Sequence, residues 1–364
     1  MVIIGGGAVG CAVALALAAE WANVFLLEAM PRVGMAASSR NSGVIHSGIY
    51  YPTGSLKALH CVRGNHLANE FCAAHQVPHR CVGKVVVVAG PSQENQLEEL
   101  LQRGVANGVE GLRLLDRGGL HAREPYVAGC AALEVPSTGI VASEDLVKAC
   151  ARVAAERGAH LVMQARVNRL VPAASGIRVS STAGEIEARC IVNSAGLFAD
   201  DVATMLGSPF AAHRIYPVRG EYCELVRSKL HLVRGLVYPL PASDGLSLGC
   251  HLTRTMANTV LVGPSARPVV EKNDYESDRE PVEEFVRRIQ PLLPDVNAAD
   301  LRPTYSGIRA TLMPPAGKEP TDFIIQRDPQ YPQAIHLMGI DSPGLTSALS
   351  IAEQVAQMVR ETLQ

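Results

Sequence analysis

Aromatic residues are scarce, 4% of 364, with a single Trp. That leaves little with which to build a stacking platform for single-stranded nucleic acid. Basic runs are absent and the formal net charge is −2, so binding through phosphate neutralisation is not expected either. No stretch of about 18 consecutive apolar residues occurs, so no transmembrane helix is expected. No Lys or Arg precedes Arg32, so the apolar, small-residue-rich stretch Met1–Ala22 lacks the basic start of a signal peptide. There is no Cys-x-x-Cys, no His-Glu-x-x-His and no Walker A sequence. The nine cysteines (Cys11, Cys61, Cys72, Cys81, Cys130, Cys150, Cys190, Cys223 and Cys250) are odd in number and scattered. They read as reduced thiols in a chain that lives in a reducing cytoplasm.

What the chain does have is apolar material: 48% hydrophobic against 19% charged residues. That is ample for a core and, at ~150 residues per domain, for two domains. The first 28 residues carry the clearest pattern. A short apolar run, Met1–Ile4, meets Gly5, Gly7 and Gly10 in the spacing G-x-G-x-x-G. An Ala/Leu-rich helix follows over Ala8–Glu20, then a strand Val24–Leu27 ending in Glu28. Strand, glycine turn, helix, strand and acid in this order mark a dinucleotide site. Gly5 permits the tight turn, Gly7 lets backbone approach a pyrophosphate, and Gly10 lets helix and strand pack. The helix N-terminus, with Ala8 and Val9, offers free N–H groups to the phosphates. Glu28 accepts from a ribose diol.

Downstream, Ser38–Gly48 reads as a loop threading close to a ligand, and Leu56–Ala74 as a helix. Lys84–Ala89 reads as a strand, Gln93–Asn107 as a helix, and Ser143 as the cap of a helix over Leu146–Arg157. Ile177–Ser181 and Glu185–Val192 flank a hairpin turn and run into a second glycine turn, Asn193–Gly196. Strands at Tyr216–Val226, Leu236–Leu240, Ser247–Leu252 and Thr259–Val262 form a cluster. A helix at Pro281–Leu293, strands at Thr304–Arg309 and Ile335–Met338, and a last helix at Leu345–Thr362 complete the pattern. The fold class is α/β: a discontinuous Rossmann-like nucleotide domain with an inserted mixed or antiparallel β-sheet domain. Two patterns are set aside. Gly245–Gly249 matches G-x-S-x-G, but strands follow where a nucleophile elbow needs a helix. Cys72, His75, His79 and Cys81 mimic metal-ligand spacing with Pro78 among them, so no metal is expected.

Three residues stand out as chemistry. His46 sits in a tight Gly/Ser loop after the nucleotide motif. His251 lies on a strand. Arg309 follows Ser306-Gly307-Ile308, and a buried-strand Arg must be paired, for which a substrate carboxylate is a good partner. Lys57, Arg219 and Arg254 are weaker candidates of the same kind.

These residues resemble the D-amino-acid-oxidase-type FAD oxidoreductases, and within them the L-2-hydroxyglutarate dehydrogenase/oxidase group. The resemblance is carried by Gly5–Gly10 with Glu28, by Arg40–Tyr51, and by Ser55–Ala58 with Cys61-Val62. It continues through Gly83-Lys84, Pro136–Val141, Asn193–Gly196, Arg219–Tyr222, Tyr238–Pro241, Gly249–Thr253, Arg302-Pro303, Gly307–Ala310 and Asp322-Phe323. It spans nearly the whole chain. It implies residues 1–80, 141–212 and 300–364 as the FAD-binding domain, and 81–140 and 213–299 as the substrate-binding domain. It implies non-covalent FAD held by Gly5, Gly7, Ala8, Val9, Gly10 and Glu28 at the adenosine and pyrophosphate. Ser39, Arg40, Asn41, Ser42, Val167, Ala195, Gly196, Gly307, Arg309, Gly344, Leu345 and Thr346 would lie along the rest of the cofactor.

The implied reaction is oxidation of a small L-2-hydroxy acid to the 2-oxo acid. Arg309 holds the α-carboxylate, hydride passes from Cα to flavin N5, and His46, or else His251, takes the hydroxyl proton. Lys57, Tyr238 and Arg254 are weaker substrate contacts, a cation among them holding any distal carboxylate. The electron acceptor is quinone or oxygen, the latter in an oxidase. The location is cytoplasmic, with peripheral contact at the inner membrane face left open, as is the oligomeric state. Amine or amino-acid oxidation on the same fold, and a flavin-binding subunit without its own activity, are the alternatives.

Overall fold

The computed structural model describes residues 1–241, 249–312, 314 and 321–363. Val2–Ile4 is buried throughout, and the reason is its place in the fold. It lies inside a six-stranded sheet ordered Ile324–Arg327, Ala334–Met338, Ile191–Asn193, Val2–Ile4, Phe25–Leu27, His160–Val162. It pairs in parallel with Ile191–Asn193 and Phe25–Leu27. A parallel strand covered on both faces must be apolar along its whole length. Helix Ala8–Ala18 covers one face and is itself buried nearly all round. Its alanines let helices Ser143–Glu156 and Gly344–Leu363 pack closely on it. The opposite face carries helix Ala199–Leu206 and a three-stranded antiparallel sheet, Val167–Ala173, Gly176–Ser181 and Gly184–Ala188.

Two local expectations change here. The second hairpin strand stops at Ala188, and Ile191–Asn193 is a separate strand that crosses to the parallel sheet. Ser143 is the first residue of its helix, not its cap. Ala142 holds that position, and Glu144 and Asp145 in the first turn complement the dipole instead.

A second, mixed sheet of nine strands among the described residues takes up much of the remaining chain. Its longest pairing is antiparallel, Tyr216–Leu225 with Leu301–Thr311. One parallel step occurs, Leu236–Pro239 beside Lys84–Val88. Alternation sorts the side chains. Val85, Val87, Val237 and Leu252 pack toward helix Val282–Ile289. Val86, Val88, Leu236 and Tyr238 face the other way, toward Val44 and Ile49. Leu301–Thr311 lies in the segment expected with the nucleotide domain, yet it pairs within this second sheet. A strand's own pattern does not say which sheet it joins. Val44–Ile45, Gly139–Val141 and His79–Cys81 form a small sheet that ties the loop before His46 to the second sheet's flank.

Helix Leu56–Ala74 runs as the sequence predicts. Ser55 caps it, accepting from the Ala58 N–H, and Asp322 accepts from the N–H groups of Leu56 and Lys57. Of the patterns set aside, His75 lies against Phe71 and His79 bonds the Val77 carbonyl. No group of metal-ligating residues forms among the described residues. Residues 245–248 of the G-x-S-x-G match lie outside them. No helix among the described residues is long and apolar enough to cross a membrane.

Candidate active site

The glycine turn is built by exclusion of side chains. Gly5 has φ +104, and a Cβ there would lie 2.6 Å from the Ser194 carbonyl oxygen. A Cβ on Gly10 would lie 1.9 Å from the Gly5 carbonyl oxygen. Gly7 caps helix Ala8–Ala18 without any side-chain hydrogen bond, and no acid occupies the first turn. Ser38 Oγ accepts from the Ala8 N–H at 2.9 Å. Glu28 is buried, and its two oxygens accept from the N–H groups of Gly6 and Met30 at 2.6 and 2.7 Å. The acid thus fastens the turn, and each oxygen retains a lone pair for a further donor.

A cavity of about 230 Å³ starts at this turn. Gly7, Ala8, Val9, Ser38 and Ser194 line one end, and His46, Tyr222, His251 and Arg309 the other. Arg40, Asn41, Ser42, Gly196, Gly307, Gly344 and Leu345 line it between. Gly344 and Leu345 begin helix Gly344–Leu363, whose first turn has no acidic residue. Residues from seven separate stretches of sequence therefore line one cavity, and most of them are residues the sequence singled out.

The hydrogen bonds and close contacts of the expected positions, in the lining and behind it, hold this site in shape. Gly5, Gly10 and Glu28 shape the turn. Ala195 follows Ser194 within the second glycine turn. Ser39 turns back onto the Ala36 carbonyl, and Val167 is buried among apolar neighbours. Thr346 Oγ1 is buried and accepts from the His46 N–H at 3.0 Å. Arg40 donates to the Ser306 carbonyl and lies 4.2 Å from the Tyr275 ring centre. Asn41 ties its own loop, accepting from Gly43 N–H and donating to the carbonyls of Ala37 and Ser38. At Gly307 a Cβ would lie 2.0 Å from the Arg40 carbonyl oxygen, so only glycine lets this loop close.

His46 is held by its backbone on both sides. Thr346 takes its N–H, and Asn65 Nδ2 donates to its carbonyl at 2.9 Å and to the Ser137 carbonyl as well. Its Nδ1 is buried with no partner among the described residues. Burial, then the charges of Lys84 and Arg309, hold this imidazole well below the usual range. His251 places Nδ1 2.9 Å from the Gly249 carbonyl. That bond assigns the proton to Nδ1 and leaves Nε2 as an acceptor. Burial pushes His251 down to about 3. Tyr238 stacks on it, ring centres 3.8 Å apart, and is fully buried behind the lining. Arg309 is half-buried and makes no side-chain hydrogen bond or ion pair among the described residues.

The weaker cations are not brought in. Lys57 is paired with Asp341 at 2.8 Å, so its charge is already met. Arg254 sits three residues past His251 on the same strand, and alternation turns it to the opposite face, toward the Leu230 carbonyl. Arg219 is 1% exposed and held by Glu221 and Asp274. Sequence reasoning gave no role to Tyr222, which lines the cavity, or to Lys84, fully buried at the head of Lys84–Val88. The signal for Lys84 was there: a lysine opening an unbroken valine strand has no water to reach.

Comparison with known proteins fits this geometry. The model of the DAO family, FAD dependent oxidoreductase, matches residues 1–358. An L-2-hydroxyglutarate dehydrogenase of Indibacter alkaliphilus is 32% identical, covering 98% of each chain. The mitochondrial L-2-hydroxyglutarate dehydrogenase of Arabidopsis thaliana is 34% identical over 98% of this chain and 82% of its own. Among solved structures, the FAD-bound L-alpha-glycerophosphate oxidase of Mycoplasma pneumoniae superposes with a TM-score of 0.89 at 24% identity, covering 99% of this chain and 94% of that one. With a glycine turn opening a helix and relatives that match over its whole length in agreement, the chain belongs to the DAO family of FAD-dependent oxidoreductases.

Proposed function

We propose that this enzyme oxidises an L-2-hydroxy acid, L-2-hydroxyglutarate in the first instance, to the corresponding 2-oxo acid. One observation carries the reading: a single cavity joins a nucleotide turn to an unpaired arginine and two neutral imidazoles. The names of the full-length relatives support the substrate.

The residues present fit FAD. The helix start at Gly7–Val9, with no side chain on its cap and no acid in its first turn, suits a pyrophosphate beside Ser38, and Glu28 has lone pairs left for a ribose. Arg40–Ser42, Gly196, Gly307 and Gly344–Leu345 would hold the remainder, and the second helix N-terminus favours negative charge beside it. FAD, when bound, supplies the two-electron acceptor for the substrate carbon.

The chain supplies the rest. Arg309 offers a planar fork to the α-carboxylate, and pairing relieves a half-buried charge. This fixes the hydroxyl carbon at the imidazole end of the cavity. A neutral His46 or His251 accepts the hydroxyl proton, and His251 presents Nε2 for the purpose because Gly249 holds its other nitrogen. Proton removal in place leaves electrons free to depart from Cα. Quinone or dioxygen would be the final electron acceptor, and quinone reduction against peroxide release separates the two.

The test is an anaerobic spectrum of the FAD-loaded protein with L-2-hydroxyglutarate and with its D-isomer. Bleaching by the L-isomer alone is expected. Flavin reduced by dithionite but by neither isomer would overturn the substrate.

A further inference from the structure

Lys84 is 1% exposed, and its ammonium has no hydrogen-bond or ion-pair partner among the described residues. It lies 4.3 Å from the Tyr50 ring centre and 5.0 Å from that of Tyr238. The Tyr50 hydroxyl is likewise buried and unpartnered. The hydroxyls of Tyr238 and Thr253 are buried and unpartnered among the described residues as well. Register explains the grouping. Lys84 pairs with Leu236, so it shares a sheet face with Tyr238, and Tyr238 stacks on His251 in the cavity wall.

Donors crowd this corner, and no charged acceptor answers them among the described residues. Asp341 is already paired with Lys57. The Cys61 thiol beside Lys84 stays protonated, because burial pushes its pKa well up. An isolated ammonium in such a place is costly, and burial pushes Lys84 down to about 7. Two tyrosine faces offset part of that cost. A full counter-charge is still missing, and the adjoining cavity is where an anionic substrate enters.

We propose that Lys84, with the hydroxyls of Tyr50 and Tyr238, receives the second carboxylate of a dicarboxylic 2-hydroxy acid whose first carboxylate rests on Arg309. Lys84 thereby selects diacids over monoacids of equal length. The inference rests on the reading of Arg309 and the hydroxy-acid substrate given above. Lys84 stands behind the lining, so contact is made by extension of its flexible four-carbon stem. It takes the place that neither Lys57, paired, nor Arg254, on the far face, can fill.

The experiment measures binding of glutarate and of pentanoate, five-carbon acids with two charges and one and no hydroxyl to oxidise. The readout is the absorption change of the FAD-loaded protein. Wild type is compared with Lys84→Met, which keeps the stem, and Lys84→Arg, which keeps the charge. Lys84→Met is expected to weaken glutarate about 30-fold, the scale of a charge-assisted pair. Pentanoate should change less than about threefold, and Lys84→Arg should restore most of the glutarate affinity. Equal weakening of both acids by Lys84→Met would overturn the proposal, as would unchanged glutarate binding or none in wild type. Turnover of L-2-hydroxyglutarate against L-2-hydroxypentanoate should show the same loss of preference. If wild type oxidises neither, the proposed function falls, while the binding series still decides the role of Lys84.

Discussion

The two ends of the cavity are made of different material. At the nucleotide end the surface is backbone, with Gly5, Gly7 and Gly10 present because a Cβ has nowhere to go or because N–H groups must be reached. At the reaction end the surface is side chain, with His46, Tyr222, His251 and Arg309 carried there from four separate strands or loops. The first end tolerates almost no added atoms and carries no buried charge apart from Glu28. The second depends on where charge sits. A site for a common cofactor is local and steric; a site for a chosen substrate is dispersed and electrostatic.

The largest effect should come from the steric end. Gly10→Ala drives a methyl group against a carbonyl oxygen. A loss of about 3 kcal/mol or more is expected, with colourless protein, read from thermal midpoint and flavin-to-protein ratio. Next comes Arg309→Met, which should lower kcat/KM on the order of 1,000-fold while flavin content stays full. If flavin were lost as well, the two ends would not be separable. Removing both imidazoles, His46→Ala with His251→Ala, should lower kcat by about 100- to 10,000-fold, again with flavin retained. Unchanged turnover would remove the base from this end altogether.

The pH dependence sharpens the electrostatic side. His251 is depressed to about 3, so it is neutral at any pH above that and remains able to accept a proton. No acid limb from the base is therefore expected between pH 5 and 7. Lys84, at about 7, loses its proton as pH rises through that value. The groups facing it do not share that range. Cys61, Tyr50 and Tyr238 are raised by burial, the two histidines are lowered, and Arg309 is the other cation of the site. Diacid kcat/KM should thus fall above neutrality, up to tenfold per pH unit, with a flat profile for the monoacid and in Lys84→Met. The smallest effect should be that of Arg254→Ala. It leaves the site from the wrong face of its strand, so kcat/KM for the diacid should stay within about threefold.

Much of the steric end was legible because its parts are neighbours in sequence. Strand, glycine turn, helix and Glu28 lie within 28 residues, and each part constrains the next. Helix Leu56–Ala74 is equally plain in the sequence, and its cap at Ser55 is added by the structure. His46 and Arg309 were visible as odd residues in tight glycine-containing settings. What failed was choice among cations. Lys57, Arg254 and Arg219 look alike in sequence, yet an ion pair, a strand face and a buried network remove them in turn. Lys84 was passed over because a run of valines reads as core. The sheet that Leu301–Thr311 joins is hidden for a related reason, since pairing partners are chosen by the tertiary fold and not by the strand.

The hydrogen bond from the His46 N–H to Thr346 Oγ1 spans 300 residues, and this sets an order of events during synthesis. At roughly 5–20 residues per second, His46 leaves the ribosome some 15–60 s before its anchor is made. Val2–Ile4 waits in the same way for Ile191–Asn193, its neighbour across the sheet. Segments made early thus wait for distant ones before they find their permanent surroundings. A nascent chain holds His46 and half of a nucleotide cradle, but the cavity they line is not assembled until helix Gly344–Leu363 arrives.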